Sequence, residues 1–121
     1  MSKRILVVED QDDNRRILRD LLTASGYELI EAVDGEQGLA AAQTEHPDLI
    51  LMDIQLPGMD GYEVTRRIRA DEALRSVPII AVTSYALSGD DQKAFAAGCD
   101  AYVTKPFVPR QLLAKVREYL G

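Results

Sequence analysis

The stretch Leu49-Ile50-Leu51-Met52-Asp53 decides the fold, because four apolar residues run without a break and end at a carboxylate. A short continuous apolar run is typical of a strand buried on both faces. Such strands belong to parallel sheets that are covered by helices. Turn formers such as Pro57 and Gly58 follow, so the chain leaves the sheet at Asp53. Taken alone, Asp53 is better explained as a turn or capping residue than as a functional one.

The size and composition of the chain predict one ordinary globular domain. Its 121 residues fit a single domain over 1–121 and can bury a substantial core. A net charge of −6 argues against direct binding of nucleic acid. The chain has one cysteine, Cys99, which fits a reducing compartment and a structural thiol. The first apolar run is too short for a signal peptide or a membrane span, so a cytoplasmic location is expected.

Strand and helix patterns alternate along the whole chain. Alternation of this kind predicts parallel strands with right-handed crossovers and helices on both faces of the sheet. Gly26 and Gly98 are expected to stop helices, and Asp34 to cap one. The predicted strands are 5–8, 27–32, 49–53, 79–83 and 101–104, and the predicted helices lie between about 12 and 25, 35 and 46, 62 and 70, 88 and 97, and from Pro109 onward.

Polar side chains follow four of the five predicted strands: Glu9 and Asp10, Asp53, Thr83, and Lys105. In a parallel sheet the carboxyl ends of the strands meet at one edge, and ligands bind there. This convergence favours a functional Asp53 over a simple turn residue. The alternatives are a plain helix-entry residue for Thr83 and a surface lysine for Lys105.

The chemistry of this edge points to phosphoryl transfer. Three neighbouring carboxylates repel one another, and a divalent cation relieves that repulsion. Since every candidate ligand is an oxygen, magnesium or a similar hard ion is expected rather than zinc. A cation, the Lys105 ammonium and the Thr83 hydroxyl around a carboxylate suit a phosphoryl group, whose transfer depends on positioning and charge stabilisation. The residues therefore predict a magnesium-dependent aspartyl phosphorylation site at Asp53.

Several spaced motifs carry a resemblance to a known family: Val8-Glu9-Asp10, Met52-Asp53 with Pro57-Gly58, Val82-Thr83-Ser84, and Tyr102 with Lys105-Pro106. Together they resemble the receiver domain of two-component response regulators over the whole chain. The resemblance implies a flavodoxin-like α/β fold, a five-stranded parallel sheet in the order 2-1-3-4-5. The amino-acid sequence of the motifs most resembles that of the stand-alone, DivK-like regulators, although receivers of hybrid kinases share many of the same residues.

The resemblance also implies a role for each site residue. Asp53 would accept the phosphoryl group, and the metal ligands would be Asp10, Asp53 and the backbone carbonyl of Gln55, with Glu9 acting mostly through water. Lys105 would pair with the phosphoryl oxygens, and Thr83 would turn its hydroxyl onto them. Tyr102 would follow as an aromatic switch, the alternative being a packing role. Lys105-Pro106 would be a cis peptide, and Gln55 and Tyr85 would border the path of the attacking water.

Partners follow from the same resemblance. A histidine kinase or histidine phosphotransfer protein would supply the phosphoryl group, and a downstream protein would bind the fourth helix, fifth strand and fifth helix. The chain would catalyse only its own phosphorylation and dephosphorylation. Asp13, Asn14 and Ile17 lie near the site on the first helix and suit docking of the phosphodonor, while core-edge packing is the alternative for Ile17. Neither the kinase, the output partner, the pathway nor the oligomeric state can be read from the residues.

Three rival functions compete with this interpretation. An aspartyl-phosphate phosphatase usually needs a second carboxylate two residues after the first, where this chain has Gln55. A flavin-binding module needs phosphate-binding groups after the first strand, where Glu9, Asp10, Asp12 and Asp13 would repel a phosphate. A receiver-like adaptor that is never phosphorylated remains open. The arginines at 66, 67 and 69 are expected to form the solvated face of a helix.

Overall fold

The computed structural model describes residues 2–83, 90–105 and 108–120, and the side chains of Asp90 and Asp91 lie outside that description. Five parallel strands form one sheet in the order β2-β1-β3-β4-β5, which confirms the expected fold. The strands are β1 (Arg4–Val8), β2 (Glu28–Ala32), β3 (Leu49–Asp53), β4 (Ile79–Thr83) and β5 (Ala101–Thr104), and the helices are α1 (Asp12–Ala24), α2 (Gly35–Glu45), α3 (Gly61–Ala70), α4 (Asp90–Ala97) and α5 (Pro109–Leu120).

The core divides into two apolar layers, one on each side of the sheet. Successive side chains of a strand point to opposite faces, so Leu6 and Ile50 pack with α2, α3 and α4, while Ile5 and Leu51 pack with α1 and α5. Every residue of β3 and β4 is buried. This explains why those strands are continuous apolar runs rather than alternating ones.

The helix boundaries agree with the local signals in the sequence. The Asp34 carboxylate accepts a hydrogen bond from Gln37 N at 2.8 Å, and Asp60 accepts one from Glu63 N at 2.9 Å, so both cap a helix. Gly98 ends α4 with a φ of +116°, a conformation that favours glycine. A short 3-10 turn at Glu72–Leu74 was not expected. The predicted helix start at Ser88 lies outside the described residues.

The expectation for Arg69 was wrong. Arg66 and Arg67 are exposed, but the Arg69 side chain is only 17% exposed and its guanidinium lies 2.8 Å from Asp100 Oδ2. Asp100 Oδ2 also accepts a hydrogen bond from Ile79 N. The guanidinium donates further bonds to the carbonyls of Leu74, Arg75, Val77 and Gly98. Arg69 therefore joins α3, the entry to β4 and the entry to β5 at the edge opposite the candidate site.

Cys99 has the structural character that the sequence indicated. It is buried, its sulfur lies 3.8 Å from the Thr65 hydroxyl, and burial raises the pKa of its thiol to about 11. A thiol with so high a pKa is a poor nucleophile near neutral pH. Within the described ranges, no helix combines the length and apolar character that a membrane span requires. The single-domain boundaries and the cytoplasmic location stay predictions.

Candidate functional site

Three carboxylates meet at the carboxyl ends of β1 and β3. Oxygens of Glu9, Asp10 and Asp53 lie within 4.8 Å of one another. Glu9 is 1% exposed and Asp53 is 2% exposed, whereas Asp10 is open to solvent. The group thus has two buried oxygen donors below and one accessible donor at the mouth, which suits a hard cation that enters from solvent.

The pleat of the sheet explains why these side chains meet. Glu9 continues the row of Ile5 and Val7, and Asp53 continues the row of Leu49 and Leu51. Both rows face the α1 and α5 layer, and β1 pairs with β3 in a register that sets Val8 opposite Met52. Because side-chain direction alternates strictly along a strand, the two carboxylates emerge on the same face at the same edge.

Lys105 joins the group from β5, whose inward row on the same face is Ala101 and Val103. Its ammonium lies 2.7 Å from Glu9 Oε1 and 3.3 Å from Asp53 Oδ2, and the side chain is 13% exposed. Among the described residues, no donor offers Glu9 Oε1 a hydrogen bond of good geometry. That oxygen has an ion pair but retains capacity for a further cation or its bound water.

Burial and crowding set the protonation of the two buried carboxylates. Burial, and then the neighbouring Glu9, raises the pKa of Asp53 to about 7. Burial also acts to raise the pKa of Glu9, but contacts with Asp53 and Lys105 hold it below its usual range. The pKa of Lys105 is raised by Glu9 and Asp53 in spite of its burial. One lysine therefore does not neutralise the pair, and a second positive charge fits this site.

The segment after β3 contacts both the side chain and the backbone of Asp53. Gln55 N donates to Asp53 Oδ1 at 3.0 Å, and the Gln55 side chain is exposed. Gly61, at the start of α3, packs so closely that a Cβ there would lie 2.3 Å from the Asp53 carbonyl oxygen. The sequence had marked Gly61 only as a turn former. A glycine directly after the cap Asp60 was the available signal for this close approach.

Thr83 and Tyr102 lie on neighbouring strands but differ in exposure. Thr83 is buried at the end of β4, and its carbonyl accepts a hydrogen bond from Lys105 N at 2.8 Å. Tyr102 is 37% exposed and packs edge-on against Phe95 of α4, with 6.3 Å between ring centroids. The predictions for Ser84, Tyr85 and the Lys105-Pro106 peptide concern residues outside the described ranges.

The three residues expected to dock a phosphodonor lie on the first two turns of α1. Ile17 is 47% exposed, Asp13 is exposed, and Asn14 is half-buried with a hydrogen bond from its amide to Gln11 Oε1. Ile17 therefore stands outside the buried Leu18 and Leu22 face. Sequence reasoning overlooked a fourth residue of this helix, Arg15, whose Nη1 lies 2.9 Å from the Glu9 carbonyl oxygen.

Comparisons with known proteins agree with this geometry. The family described as the response regulator receiver domain matches residues 5–117. The polar-differentiation response regulator DivK of Brucella ovis is 46% identical over 121 residues, which are all of this chain and 98% of that protein. The receiver domain of the sensor histidine kinase PA1611 from Pseudomonas aeruginosa is 40% identical with a TM-score of 0.93, over 100% of this chain and 99% of that one. That crystal structure has a magnesium ion coordinated in its active-site cleft. Chemotaxis protein CheY4 of Vibrio cholerae is 29% identical with a TM-score of 0.93, over 98% and 99% of the two chains.

Proposed function

The chain belongs to the response regulator receiver domain family, and from that premise we propose that it accepts a phosphoryl group on Asp53 from a phosphohistidine of a kinase or phosphotransfer protein. The observation that carries the proposal is the buried Asp53 carboxylate beside Glu9, Asp10 and Lys105. An Asp53 oxygen attacks phosphorus, the phosphorus–nitrogen bond of the donor breaks, and the donor imidazole takes up a proton. The chemistry is confined to the protein's own side chain, and no separate substrate is turned over.

Magnesium is the proposed cofactor, bound by Asp10, Asp53 and the Gln55 carbonyl, with Glu9 acting through water. The fit rests on the oxygen-only donor set and on Glu9 Oε1, which has an ion pair with Lys105 but no hydrogen bond of good geometry from the described residues. When bound, the ion neutralises charge on the carboxylates and on the transferred phosphoryl group. It also favours the ionised form of Asp53, whose pKa the metal-free site raises. The PA1611 receiver, which has a magnesium ion coordinated in its active-site cleft, supports magnesium as the ion.

Lys105 is proposed to bind the incoming phosphoryl oxygens. Its ammonium already lies between Glu9 and Asp53, so little reorganisation is needed when charge builds up on the phosphoryl group. A preorganised cation in a largely buried site stabilises developing charge more strongly than it would in water.

The output of phosphorylation is proposed to be a change in protein binding. Thr83 ends the strand next to Asp53, and a charge-assisted hydrogen bond to the phosphoryl group would draw its hydroxyl inward. Tyr102, now at the surface against Phe95, would then turn toward the space that Thr83 leaves. The surface of α4, β5 and α5 would thereby prefer a different partner-binding state.

Mass spectrometry tests the acceptor directly. Incubation with acetyl phosphate and Mg²⁺ should add one phosphoryl group to the wild-type chain and none to Asp53→Asn. Asp60→Asn is a matched control, because Asp60 is exposed and asparagine caps a helix as well as aspartate. Full labelling of Asp53→Asn would place the phosphate elsewhere, and an unlabelled wild-type chain would favour an adaptor that works without phosphorylation.

A further inference from the structure

Arg15 reaches from α1 back to the end of β1. Its Nη1 donates a hydrogen bond of 2.9 Å to the Glu9 carbonyl oxygen, and its side chain is only 12% exposed. The carbonyl belongs to the peptide bond between Glu9 and Asp10, so the guanidinium binds the planar unit that carries both carboxylates of this strand end. Arg15 itself lies outside the carboxylate cluster, which contains Glu9, Asp10 and Asp53.

The guanidinium is held in place by other charges. It forms an ion pair with Asp12 and lies 3.7 Å from Glu31 Oε1 on β2. Glu31 is fixed in turn by Arg19, which binds both of its oxygens at 2.9 and 2.7 Å. A planar guanidinium with several partners has little freedom, so it can impose an orientation on the carbonyl it binds.

Other hydrogen bonds at the end of β1 hold Glu9 but do not hold the Asp10 side of the Glu9–Asp10 peptide, which Arg15 contacts. Glu9 N donates to the Ala32 carbonyl at 3.0 Å, and Glu9 Oε2 accepts a hydrogen bond from Gln11 N at 3.2 Å. These contacts fix the Glu9 side of the segment. The Asp10 side chain is exposed, so packing does not orient it, and the orientation of the Glu9–Asp10 peptide sets the direction in which this side chain leaves the backbone.

We propose that Arg15 is a positioning residue for the metal site, because its bond to the Glu9 carbonyl holds the Asp10 carboxylate toward Glu9 and Asp53. The inference rests on the proposed magnesium site. It makes the opposite prediction from simple electrostatics. As a positive charge near the site, Arg15 repels a cation, and its removal alone would tighten metal binding. As an orienting group, its removal weakens metal binding.

Isothermal titration calorimetry with MgCl₂ measures this difference without any phosphodonor. Arg15→Gln should bind Mg²⁺ about tenfold more weakly than the wild type, the range seen when groups that orient metal ligands are lost. Arg15→Lys should recover part of the loss, because an ammonium can donate one bond to the same carbonyl. Arg16→Gln is the matched control, since it removes the same charge from an exposed neighbour with only a 3.9 Å contact to Asp13. Its affinity should equal or slightly exceed that of the wild type.

Urea unfolding in EDTA separates positioning from stability. Unchanged or tighter Mg²⁺ binding by Arg15→Gln overturns the inference, even if the metal-free protein becomes less stable. If the glutamine variant does not fold, the lysine variant decides, and an affinity equal to that of the wild type overturns the inference. A wild type that binds Mg²⁺ but is not labelled on Asp53 overturns the proposed function and leaves the role of Arg15 intact. A wild type that binds no Mg²⁺ overturns both.

Discussion

The ammonium of Lys105 lies 3.3 Å from Oδ2 of Asp53 and so connects the ends of β5 and β3. The same nitrogen is 2.7 Å from Glu9 Oε1, which makes Lys105 a shared counter-ion of two buried carboxylates. A lysine in this place can follow the charge as it moves from carboxylate to phosphoryl oxygen. Lys105 can therefore neutralise negative charge on either carboxylate or on a phosphoryl group attached to Asp53, and is not confined to one ion pair.

Replacing Lys105 by methionine should slow acetyl phosphate labelling of Asp53 about a hundredfold, the usual effect of losing one preorganised group that stabilises developing charge. Magnesium binding should persist or tighten, because one competing cation is gone. Lys115→Met is the control, since Lys115 pairs with Glu118 on the surface of α5. Labelling of Lys105→Met at the wild-type rate would contradict the proposed role.

The raised pKa of Asp53 predicts how metal-free stability depends on pH. The pKa of about 7 means that the folded protein holds this proton up to about pH 7, whereas the unfolded chain, with an ordinary pKa of 3.8, releases it at lower pH. The folded state therefore binds more protons between these values, and its stability should fall as the pH rises from about 4.5 to 7. The pKa of Glu9 is lowered in the folded protein, so its ionised form stabilises the fold, and this contribution to stability is lost only as the pH falls below this window.

Asp53→Asn should remove that decline and raise metal-free stability at pH 7 by a few kcal/mol, since each unit of pKa shift corresponds to about 1.4 kcal/mol. Urea unfolding in EDTA across this pH range provides the measurement. If the free energy of unfolding changes equally with pH in the wild type and in Asp53→Asn, Asp53 ionises normally in the folded state.

Thr83→Ala should still accept a phosphoryl group on Asp53 but should lose most of the gain in partner affinity. One charge-assisted hydrogen bond is worth about 1.5–3 kcal/mol, so the phosphorylated variant should bind its partner at least about tenfold more weakly. Thr44→Ala on the surface of α2 is the control. If fully phosphorylated Thr83→Ala binds as tightly as the wild type, the coupling passes through another residue, and the loop after Asp53 becomes the next place to look.

Ile17→Ala should slow transfer from the cognate kinase or phosphotransfer protein about tenfold, because a 47% exposed isoleucine can bury apolar area only against a partner. Labelling by acetyl phosphate should stay within about twofold, since that donor needs no docking surface. Thr23→Ala, exposed near the other end of α1, serves as the control. Equal slowing with both donors would mean that Ile17 supports the site through packing.

Arg69→Gln should lower the free energy of unfolding by about 2–4 kcal/mol, because several carbonyls and Asp100 lose a charged donor together. Arg66→Gln removes an equal charge from an exposed side chain of the same helix and should change the free energy of unfolding by less than about 0.5 kcal/mol. Similar urea midpoints for the two variants would show that the Arg69 hydrogen-bond network contributes little to stability.

The sequence alone determined the alternation of strands and helices, the apolar strands that form the core, and the edge at which Glu9, Asp10, Asp53 and Lys105 emerge. The apolar period and the capping residues follow from short-range rules, because they act over a few positions at a time. Parallel pairing is long-range, and the alternation of strand and helix patterns predicted it. Side chains alternate strictly along a strand, so Glu9, Asp53 and Lys105, which continue the rows on one face, could be named together from the sequence.

Only the tertiary structure decided the contacts between segments far apart in the chain. It showed that Arg69 is not a solvated surface residue but a half-buried side chain paired with Asp100, and it placed Arg15 on the Glu9 carbonyl and Gly61 against the Asp53 backbone. The raised pKa of Asp53 has the same origin, because burial and the distance to Glu9 exist only after β1 and β3 pair. Such effects depend on distances of a few ångströms between elements, and no local pattern of residues encodes them.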